Sequence, residues 1–335
     1  MASVVKPFSE EQARALVNLR QRYEVWMEAE RTLAGLPYDL RRKEVGGRSY
    51  LYEIKDRSGN GKSLGAWSDE HAVRLEAYRA QKSDAKTRRD GSRTPLEETG
   101  RLGRALQLPM VANEAGPILR EADRRGLLDG ALLVVGTNAV PAYSIEAGGL
   151  IRELPDETAD FDLAWAETEA SDGEQVLWQM LKAVDRTFTV NTERTFQARN
   201  AKAYEVEILV APSRVATMSR TDRPKPVPLP EQEWLLEGCP VDHVVICRDG
   251  SPARIVAPDP RWFALQKLWM ADQPKRNALK RGKDAKQGML LLNAVAEAMP
   301  LYPLNDDFER SLPGELAPYF VRWAEQRQSR TPSAW

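Results

Sequence analysis

The chain has 335 residues, of which 42% are hydrophobic, and its 48 Lys and Arg residues nearly balance its 49 Asp and Glu residues. This length is sufficient for two or three domains with a sizeable core, and the near-zero net charge excludes a global electrostatic field that attracts nucleic acid or anionic membranes, so any basic surface must be local. The two cysteines, Cys239 and Cys247, and the two histidines, His71 and His243, lack the number and spacing of a disulfide framework or a multi-histidine zinc site.

Residues 1–105 are predicted to form an N-terminal region that begins with an amphipathic helix. Ser9 and Gln12 have the spacing of a capping box, and apolar residues recur at helical intervals until Gly35. The first eight residues lack the apolar core of a signal peptide, and no window approaches the roughly 18 to 20 apolar residues of a membrane span. We therefore expect a cytoplasmic protein that does not enter a membrane.

A β-hairpin and a basic helix are predicted to complete the N-terminal region. Residues 48–55 alternate between polar and apolar like a strand, and the turn-forming residues 56–61 follow them. Residues 68–70 then begin a second helix, in which the stretch 82–93 contains five Lys and Arg residues. We interpret this stretch as a solvated helix end, with an acceptor-binding or RNA-contacting patch as the alternative.

Residues 106–258 are predicted to form the core, because strand and helix patterns alternate through them. A buried strand at 132–135 precedes a Gly-Thr-Asn turn and a short helix, and Asp-Phe-Asp-Leu-Ala-Trp at 160–165 predicts a second strand. Further patterns predict helices at 114–125 and 174–186, a hairpin of strands 196–199 and 203–210, an extended proline-rich loop at 221–230, and a hairpin of strands 241–247 and 253–257.

Residues 259–335 are predicted to form a helical C-terminal lobe. Its helices are expected at 261–271, 277–298 and 316–326. Together the three regions predict the α/β (α+β) class, with a mixed-sheet core flanked by helices, an N-terminal helix and hairpin region, and a helical lobe after the core.

The turn after the strand at 132–135 has the residues of a phosphate-binding loop. Gly136 allows the backbone to approach a phosphate closely, and Thr137 can donate its hydroxyl. We predict that Thr137 or Asn138 caps the following helix, whose first turn contains Pro141. The free N–H groups of such a helix start attract anions.

Asp160 and Asp162 are candidate metal ligands on the second strand. Residues two apart on a strand leave the same face, with Cα atoms roughly 6.6 to 6.8 Å apart, so one metal pair can bridge them. A third ligand is expected from a neighbouring strand, and Glu205 and Glu207 lie on one face of the strand at 203–210. We prefer Glu207, which has apolar residues on both sides, but the two glutamates can also be the solvated side of an antiparallel sheet.

This order of motifs resembles the DNA-polymerase-β-like nucleotidyltransferase superfamily, whose signature is Gly-Ser or Gly-Thr, then Asp-x-Asp, then a third carboxylate. A bacterial family of nucleotidyltransferase-fold proteins is similar over roughly residues 36–295. The similar segments are GRSYLY at 47–52, GKSLG at 61–65, VGTNA at 135–139, TADFDL at 158–163 and KRGKDAKQ at 280–287.

The resemblance implies Mg²⁺-dependent transfer of a nucleoside monophosphate from a nucleoside triphosphate, such as ATP, to an acceptor hydroxyl. It implies Asp160, Asp162 and Glu207 or Glu205 as ligands of two Mg²⁺ ions, and Gly136 and Thr137, with Asn138 beside them, at the phosphates. A glutamate departs from the commoner aspartate at the third position, yet it can still ligate Mg²⁺. Glu207 is expected to complete the first metal site and to receive the proton of the acceptor.

Lysines of the helical lobe are candidate phosphate ligands. Lys267 occupies a position at which related proteins have a lysine, and Lys283 lies one turn from both Lys280 and Lys286. We predict that Lys267 and Lys283 offset charge on the leaving pyrophosphate, and a solvated cationic helix face is the alternative.

Acceptor and oligomeric state are not specified by the sequence. An RNA 3′ end, a protein hydroxyl and a small alcohol all require the same metal pair, and we expect RNA or a protein. Two other readings remain: a catalytically silent nucleotide-binding or interaction module on the same fold, and a phosphodiesterase or nuclease, which the Gly-Thr motif disfavours.

Overall fold

The computed structural model describes residues 3–155, 160–169 and 175–330, and the chain divides into two compact units. The larger unit consists of Met1–Val17 and Arg101–Trp335, and the smaller unit is Asn18–Gly100. The predicted division into residues 1–105, 106–258 and 259–335 stays a prediction.

Helices occur in both units of the described chain. They are α1 (Glu10–Gly35), α2 (Asp69–Ala105), α3 (Ala115–Arg124), α4 (Val140–Glu146), α5 (Val176–Val184), α6 (Pro260–Asp272), α7 (Ala278–Ala298), α8 (Asp306–Ser311) and α9 (Ala317–Arg330).

The strands in the described part of the chain form four sheets. They are β1 (Val5–Pro7), β2 (Asp39–Val45), β3 (Arg48–Ile54), β4 (Gly61–Ala66), β5 (Met110–Val111), β6 (Leu132–Val135), β7 (Gly149–Ile151), β8 (Asp160–Trp165), β9 (Thr189–Val190), β10 (Gln197–Arg199), β11 (Glu205–Val210), β12 (Val227–Pro228), β13 (Val241–Cys247) and β14 (Pro252–Ala257).

The central sheet has the strand order β6-β8-β11-β10-β9, and β12 pairs with β11. Strand β8 is antiparallel to β6 and parallel to β11, so the sheet is mixed. This confirms the predicted fold class. Phe161 and Leu163 of β8 are buried, and burying each contributes roughly 1.5 to 3 kcal/mol. They fix the strand in the core and leave the aspartates on the opposite face.

One continuous hydrophobic core joins this sheet to the C-terminal helices. It includes Phe161 of β8, Phe263 of α6 and Leu291 of α7, and the rings of Phe263 and Tyr143 of α4 lie 5.1 Å apart. The predicted hairpin of β13 and β14 is confirmed, and β5 adds a third strand to it. Strands β1 and β7 form a separate antiparallel pair.

The predicted capping box at the start of α1 is confirmed. The backbone N–H of Ser9 donates to the Gln12 side chain (2.9 Å), and the N–H of Gln12 donates to the Ser9 hydroxyl (3.1 Å). These two bonds satisfy donors that a helix start leaves unpaired. None of the helices in the described residues combines the length and the apolar composition that crossing a membrane requires.

The smaller unit differs from its prediction in two respects. Strands β2, β3 and β4 form a three-stranded antiparallel sheet instead of a hairpin. Strand β2 was missed because its four consecutive charged residues, 41–44, hide the alternation. The basic stretch 82–93 lies in the middle of the 37-residue helix α2 and not at a helix end.

Candidate metal and phosphate site

The register between β8 and β11 brings three carboxylates together. Glu205 lies beside Asp160 and Glu207 beside Asp162, because the two strands are parallel neighbours. Residues that are adjacent in register project from the same face. One carboxylate oxygen from each of Asp160, Asp162 and Glu207 lies within 4.8 Å of the others. The three residues singled out in the sequence therefore form one acidic cluster.

Glu205, the alternative third ligand, is held by other partners. The guanidinium Nε of Arg199 donates to its carboxylate at 2.7 Å, and Gln197 Nε2 donates to it at 2.8 Å. The same Gln197 nitrogen donates to Glu207 at 3.1 Å. Gln197 is buried, so it fixes the positions of both glutamates. Of the two glutamates, the geometry places Glu207 in the acidic cluster.

Convergence of the carboxylates changes their acidity. Burial, followed by the negative charges of Asp160 and Glu207, raises the pKa of Asp162 to about 7. Burial and the charge of Asp160 also raise the pKa of Glu207. Lys280 of α7 lowers both values, and its Nζ lies 3.6 Å from an Asp160 carboxylate oxygen. The carboxylates of the cluster therefore repel one another, and a bound cation would relieve this repulsion.

Gly136 lies directly against this cluster. Its φ is +67°, and a Cβ at this position would lie 2.2 Å from Asp162 Oδ2. Strand β6 ends beside β8 with Val135 in register with Asp162, so the turn at Gly136 must pass over the carboxylate. Its missing side chain makes room for Asp162. The predicted approach of a phosphate to Gly136 stays a prediction.

The predicted capping by Thr137 or Asn138 is wrong. The segment Gly136–Ala139 forms a 3₁₀ turn that continues directly into α4, so no extended residue precedes the helix to cap it. Asn138 Nδ2 instead donates to the carbonyl of Asp160 at 2.9 Å, and Gln287 Nε2 of α7 donates to the Thr137 hydroxyl at 3.3 Å. Both residues tie the loop to its neighbours. Pro141 lies in the first turn, as predicted.

The lysines of the helical lobe have different surroundings. Lys267 is buried and forms an ion pair with Asp284 at 3.0 Å, and Asp284 also accepts from Arg276 at 2.7 Å. Lys283 is partly buried, and burial followed by the charge of Lys267 lowers its pKa, while Asp160 acts in the opposite direction. The role of Lys267 and Lys283 at the phosphates stays a prediction.

Three residues near the cluster were missed in the sequence. The sequence pattern assigns no role to Lys280, although its spacing of one turn from Lys283 places both lysines on one helix face. Gln197 lies opposite Glu207 in the predicted hairpin, and this position indicates a role only once Glu207 is assigned to the cluster. Gln287 contacts the loop from 150 residues away, and nothing local in the sequence indicates this contact.

Other candidate residues lie in structural contacts. Trp165 is buried in the core, and its indole N–H donates to the Thr217 hydroxyl at 2.9 Å. His243 Nε2 lies 2.6 Å from a Glu146 oxygen, and His71 Nδ1 lies 2.8 Å from the Ala66 carbonyl.

A family model described as nucleotidyltransferase matches residues 113–312, which is more than half of the chain. The chain belongs to this nucleotidyltransferase family. The match spans β6 with its Gly-Thr loop, the acidic cluster and the lysines of α6 and α7. No curated protein and no solved structure matches the chain. The closer resemblance to one bacterial family stays a prediction.

The donor set of the cluster suits a hard divalent cation. Mg²⁺ and Mn²⁺ prefer carboxylate oxygens, and the cluster supplies these from three residues within 4.8 Å. Like charges held this close favour a cation between them, consistent with the raised pKa of Asp162 and Glu207. A nucleotidyltransferase with this donor set can therefore hold the metal that such chemistry uses.

The metal-free protein is expected to lose stability as the pH rises towards 7. The pKa of Asp162 is raised from 3.8 to about 7, so the folded state keeps a proton that the unfolded chain releases near pH 4. Stability linked to this proton is complete below pH 4 and lost as pH rises through about 7, at no more than about 1.4 kcal/mol per pH unit. Thermal unfolding in EDTA at pH 5, 6, 7 and 8 measures it.

The Asp162→Asn variant is the control for this pH dependence, because groups outside the acidic cluster titrate equally in both proteins. From pH 5 to pH 7 the variant should become more stable relative to the wild type. Millimolar Mg²⁺ should raise the wild-type unfolding temperature more at pH 8 than at pH 6, since protons and metal compete for one carboxylate. If the stability difference between the two proteins does not change with pH, the raised pKa of Asp162 is contradicted.

Proposed function

We propose that this protein is a metal-dependent nucleotidyltransferase that moves a nucleoside monophosphate from a nucleoside triphosphate to an acceptor hydroxyl and releases pyrophosphate. The observation that carries the proposal is the cluster of Asp160, Asp162 and Glu207 against the Gly136 loop. Membership of a nucleotidyltransferase family supports the reaction class. The acceptor is an RNA 3′ end or a protein hydroxyl.

Asp160, Asp162 and Glu207 would hold two Mg²⁺ ions. When bound, such a pair lowers the pKa of an attacking hydroxyl and neutralises charge on the triphosphate. Gln197 keeps the Glu207 carboxylate turned towards the aspartates, and Asn138 fixes the start of β8 by its bond to the Asp160 carbonyl. These bonds hold the carboxylates in place before substrate arrives, which lowers the cost of binding.

Residues of the loop and of α7 would position the triphosphate. Gly136 and Thr137 lie beside the acidic cluster, and Gln287 restrains the Thr137 hydroxyl. Lys280, next to Asp160, and Lys283 place positive charge on the same side of the cluster. Positive charge here offsets the charge that develops on pyrophosphate as it leaves.

A pair of neighbouring glutamates provides a direct test of the cluster. We expect Glu207→Gln to reduce transfer from an α-labelled triphosphate about 10- to 100-fold, because the amide keeps one oxygen but loses the charge that binds metal. The matched change Glu205→Gln alters the same chemical group two residues away on β11 and should retain most activity. Transfer is measured in cell extract supplemented with each purified protein.

Raising the metal concentration should distinguish a loss of metal binding from other causes of lost activity in Glu207→Gln and Glu205→Gln. Millimolar Mn²⁺ should restore part of the Glu207→Gln activity if the lost carboxylate is a ligand, and it should not change Glu205→Gln. Equal loss in both variants would assign the effect to the Gln197 hydrogen bonds that the two glutamates share, and the proposed ligand set would be wrong.

A further inference from the structure

The smaller unit carries a charge that the whole chain does not show. Residues 18–100 contain 17 Lys and Arg residues and 14 Asp and Glu residues, whereas the complete chain has a net charge of −1. A local positive surface of this kind is invisible in the overall composition, and it attracts polyanions at short range.

One face of the β2-β3-β4 sheet combines basic and aromatic side chains. Leu40 and Leu51 pack with α2 residues in a small core on one face, and the alternating residues project from the other. On that second face, cross-strand neighbours pair Arg41 with Tyr52, Lys43 with Tyr50 and Val45 with Arg48. Arg41 and Arg48 are exposed, and both tyrosines are partly exposed. We call Arg41, Lys43, Arg48, Tyr50 and Tyr52 the basic aromatic face.

Cations and rings on this face are already in contact. The Lys43 amine lies 5.0 Å from the centre of the Tyr52 ring, within the range of a cation–π interaction. This contact holds a positive charge beside an aromatic surface. A nucleotide offers the complementary pair of groups, a phosphate and a flat base.

A groove in the same unit shares the basic residue Arg41 with this face. It has a volume of about 880 Å³ and lies between the end of α1, the start of β2 and the middle of α2. Its basic side chains are Arg41, Lys55, Arg79, Lys82, Lys86 and Arg89, and Tyr38 and Tyr78 also line it. Arg41, on the edge strand β2, belongs to both the groove and the basic aromatic face.

Lys82 connects the two tyrosines that line the groove. Its amine donates to the Tyr38 carbonyl and to the Tyr78 hydroxyl, and it lies 5.8 Å and 5.0 Å from the centres of the two rings. Asp39 is the one acid among the described lining residues, and it pairs with Arg41. Within the part of the chain that the structure describes, Lys55, Arg79 and Lys86 form no ion pair. Their charge is available to a ligand.

We propose that the groove and the basic aromatic face of the smaller unit together bind single-stranded nucleic acid. Basic groups along a groove follow the phosphates, and tyrosine rings stack on bases whose faces are not already covered by a second strand. An acidic polypeptide would use the same charges but has no need of the tyrosines. In a nucleotidyltransferase the bound strand would be the acceptor, and this last step rests on the proposed function.

Binding is tested on the full-length protein by fluorescence anisotropy with a labelled 12-nucleotide single-stranded RNA and, in parallel, DNA of the same sequence, without metal. Lys55→Glu with Lys86→Glu should weaken binding about 10-fold or more. It should also make the slope of log K against log[salt] less steep by about 1.4, since each phosphate contact in a single strand contributes about 0.7.

Two further variants separate this surface from general charge. Lys62→Glu with Arg88→Glu makes the same net charge change at exposed residues that pair with Glu53 and Glu28, and it should weaken binding less than about 3-fold. Tyr52→Ala should weaken binding of RNA at least about 5-fold, since stacking contributes about 1 to 3 kcal/mol per base, and it should leave binding of heparin unchanged. Circular dichroism verifies folding of each variant.

The proposal is supported if strand binding is lost in Lys55→Glu with Lys86→Glu and retained in Lys62→Glu with Arg88→Glu. Binding should also weaken in Tyr52→Ala. Similar affinity for RNA and DNA would indicate recognition of shared backbone and bases, and a preference for RNA would add recognition of the 2′-hydroxyl. Equal loss in both charge pairs, tighter binding of duplex than of single strand, or equal affinity for poly-glutamate would overturn it. Asp162→Asn should bind the strand like wild type, so a failure of catalysis and a failure of binding are distinguishable.

Discussion

Replacement of Asp162 by asparagine is expected to reduce nucleotidyl transfer about 10³-fold or more. Asp162 is the central member of the acidic cluster, in register with both Val135 and Glu207. A metal ion at such a site supplies several kcal/mol of transition-state stabilisation, and each 1.36 kcal/mol corresponds to a factor of ten in rate. Incorporation of α-label into the acceptor fraction, with purified variant and wild type side by side, measures the loss.

The same substitution should leave the fold intact. In the metal-free protein Asp162 faces two other carboxylates, which contribute to raising its pKa to about 7, so removing its charge relieves repulsion. At pH 8 in EDTA the variant should therefore unfold at or above the wild-type temperature. Asp306→Asn, the same change at an exposed residue outside the cluster, should retain transfer. Wild-type activity in Asp162→Asn would remove the residue from the mechanism.

Gly136→Ala is the second substitution with a large expected effect. A Cβ would lie 2.2 Å from Asp162 Oδ2, so the loop or the carboxylate must move, and the φ of +67° is unfavourable for alanine. We expect a loss of about 2 to 4 kcal/mol of stability from strain and overpacking together. Displacement of Asp162 by about 1 Å should also reduce transfer about 10²-fold.

Gly148 is a matched control for Gly136. Its φ is +61°, and an added Cβ has no neighbour within 4 Å. Gly148→Ala therefore carries the backbone strain without the collision and should cost about 1 kcal/mol, with transfer unchanged. Chemical denaturation gives the free energy of unfolding for both variants. Equal effects of the two substitutions on stability and on transfer would show that contact with Asp162 is not what requires a glycine at 136.

Much of the secondary structure was predictable because it follows local patterns. The capping box at Ser9 and Gln12, the apolar strand β6 and the alternation in β11 all depend on residues close in sequence. Strand β2 was not predicted because most of its side chains are charged. A small, solvent-exposed sheet can accommodate charged side chains in a strand.

The acidic cluster was predictable only in part. Spacing alone placed Asp160 and Asp162 on one face, and the apolar neighbours of Glu207 favoured it over Glu205. The hydrogen bonds of Gln197 and Gln287 depend on strand register and on packing of α7 against the loop, which no short segment encodes. The predicted caps failed for a related reason: a 3₁₀ turn replaced the expected helix start, and tertiary partners took the Thr137 and Asn138 side chains.

The basic stretch 82–93 shows how tertiary context changes an interpretation. At a helix end, these charged side chains would only be solvated. Within α2, however, residues 82, 86 and 89 line a groove together with side chains from β2 and from the loop before β2. The sequence identified the charge, but the partners that shape the groove come from a strand that was not predicted.

The position of the label in the product tests the central claim most directly. Purified protein, acceptor extract and Mg²⁺ are incubated in parallel with triphosphate labelled at the α- or the γ-phosphorus. Attack at the α-phosphorus transfers the α-label to the acceptor and releases the γ-label as pyrophosphate. We expect this distribution, and its absence in Asp162→Asn. Transfer of the γ-label to the acceptor, or release of free monophosphate without any labelled acceptor, would contradict nucleotidyl transfer by this site.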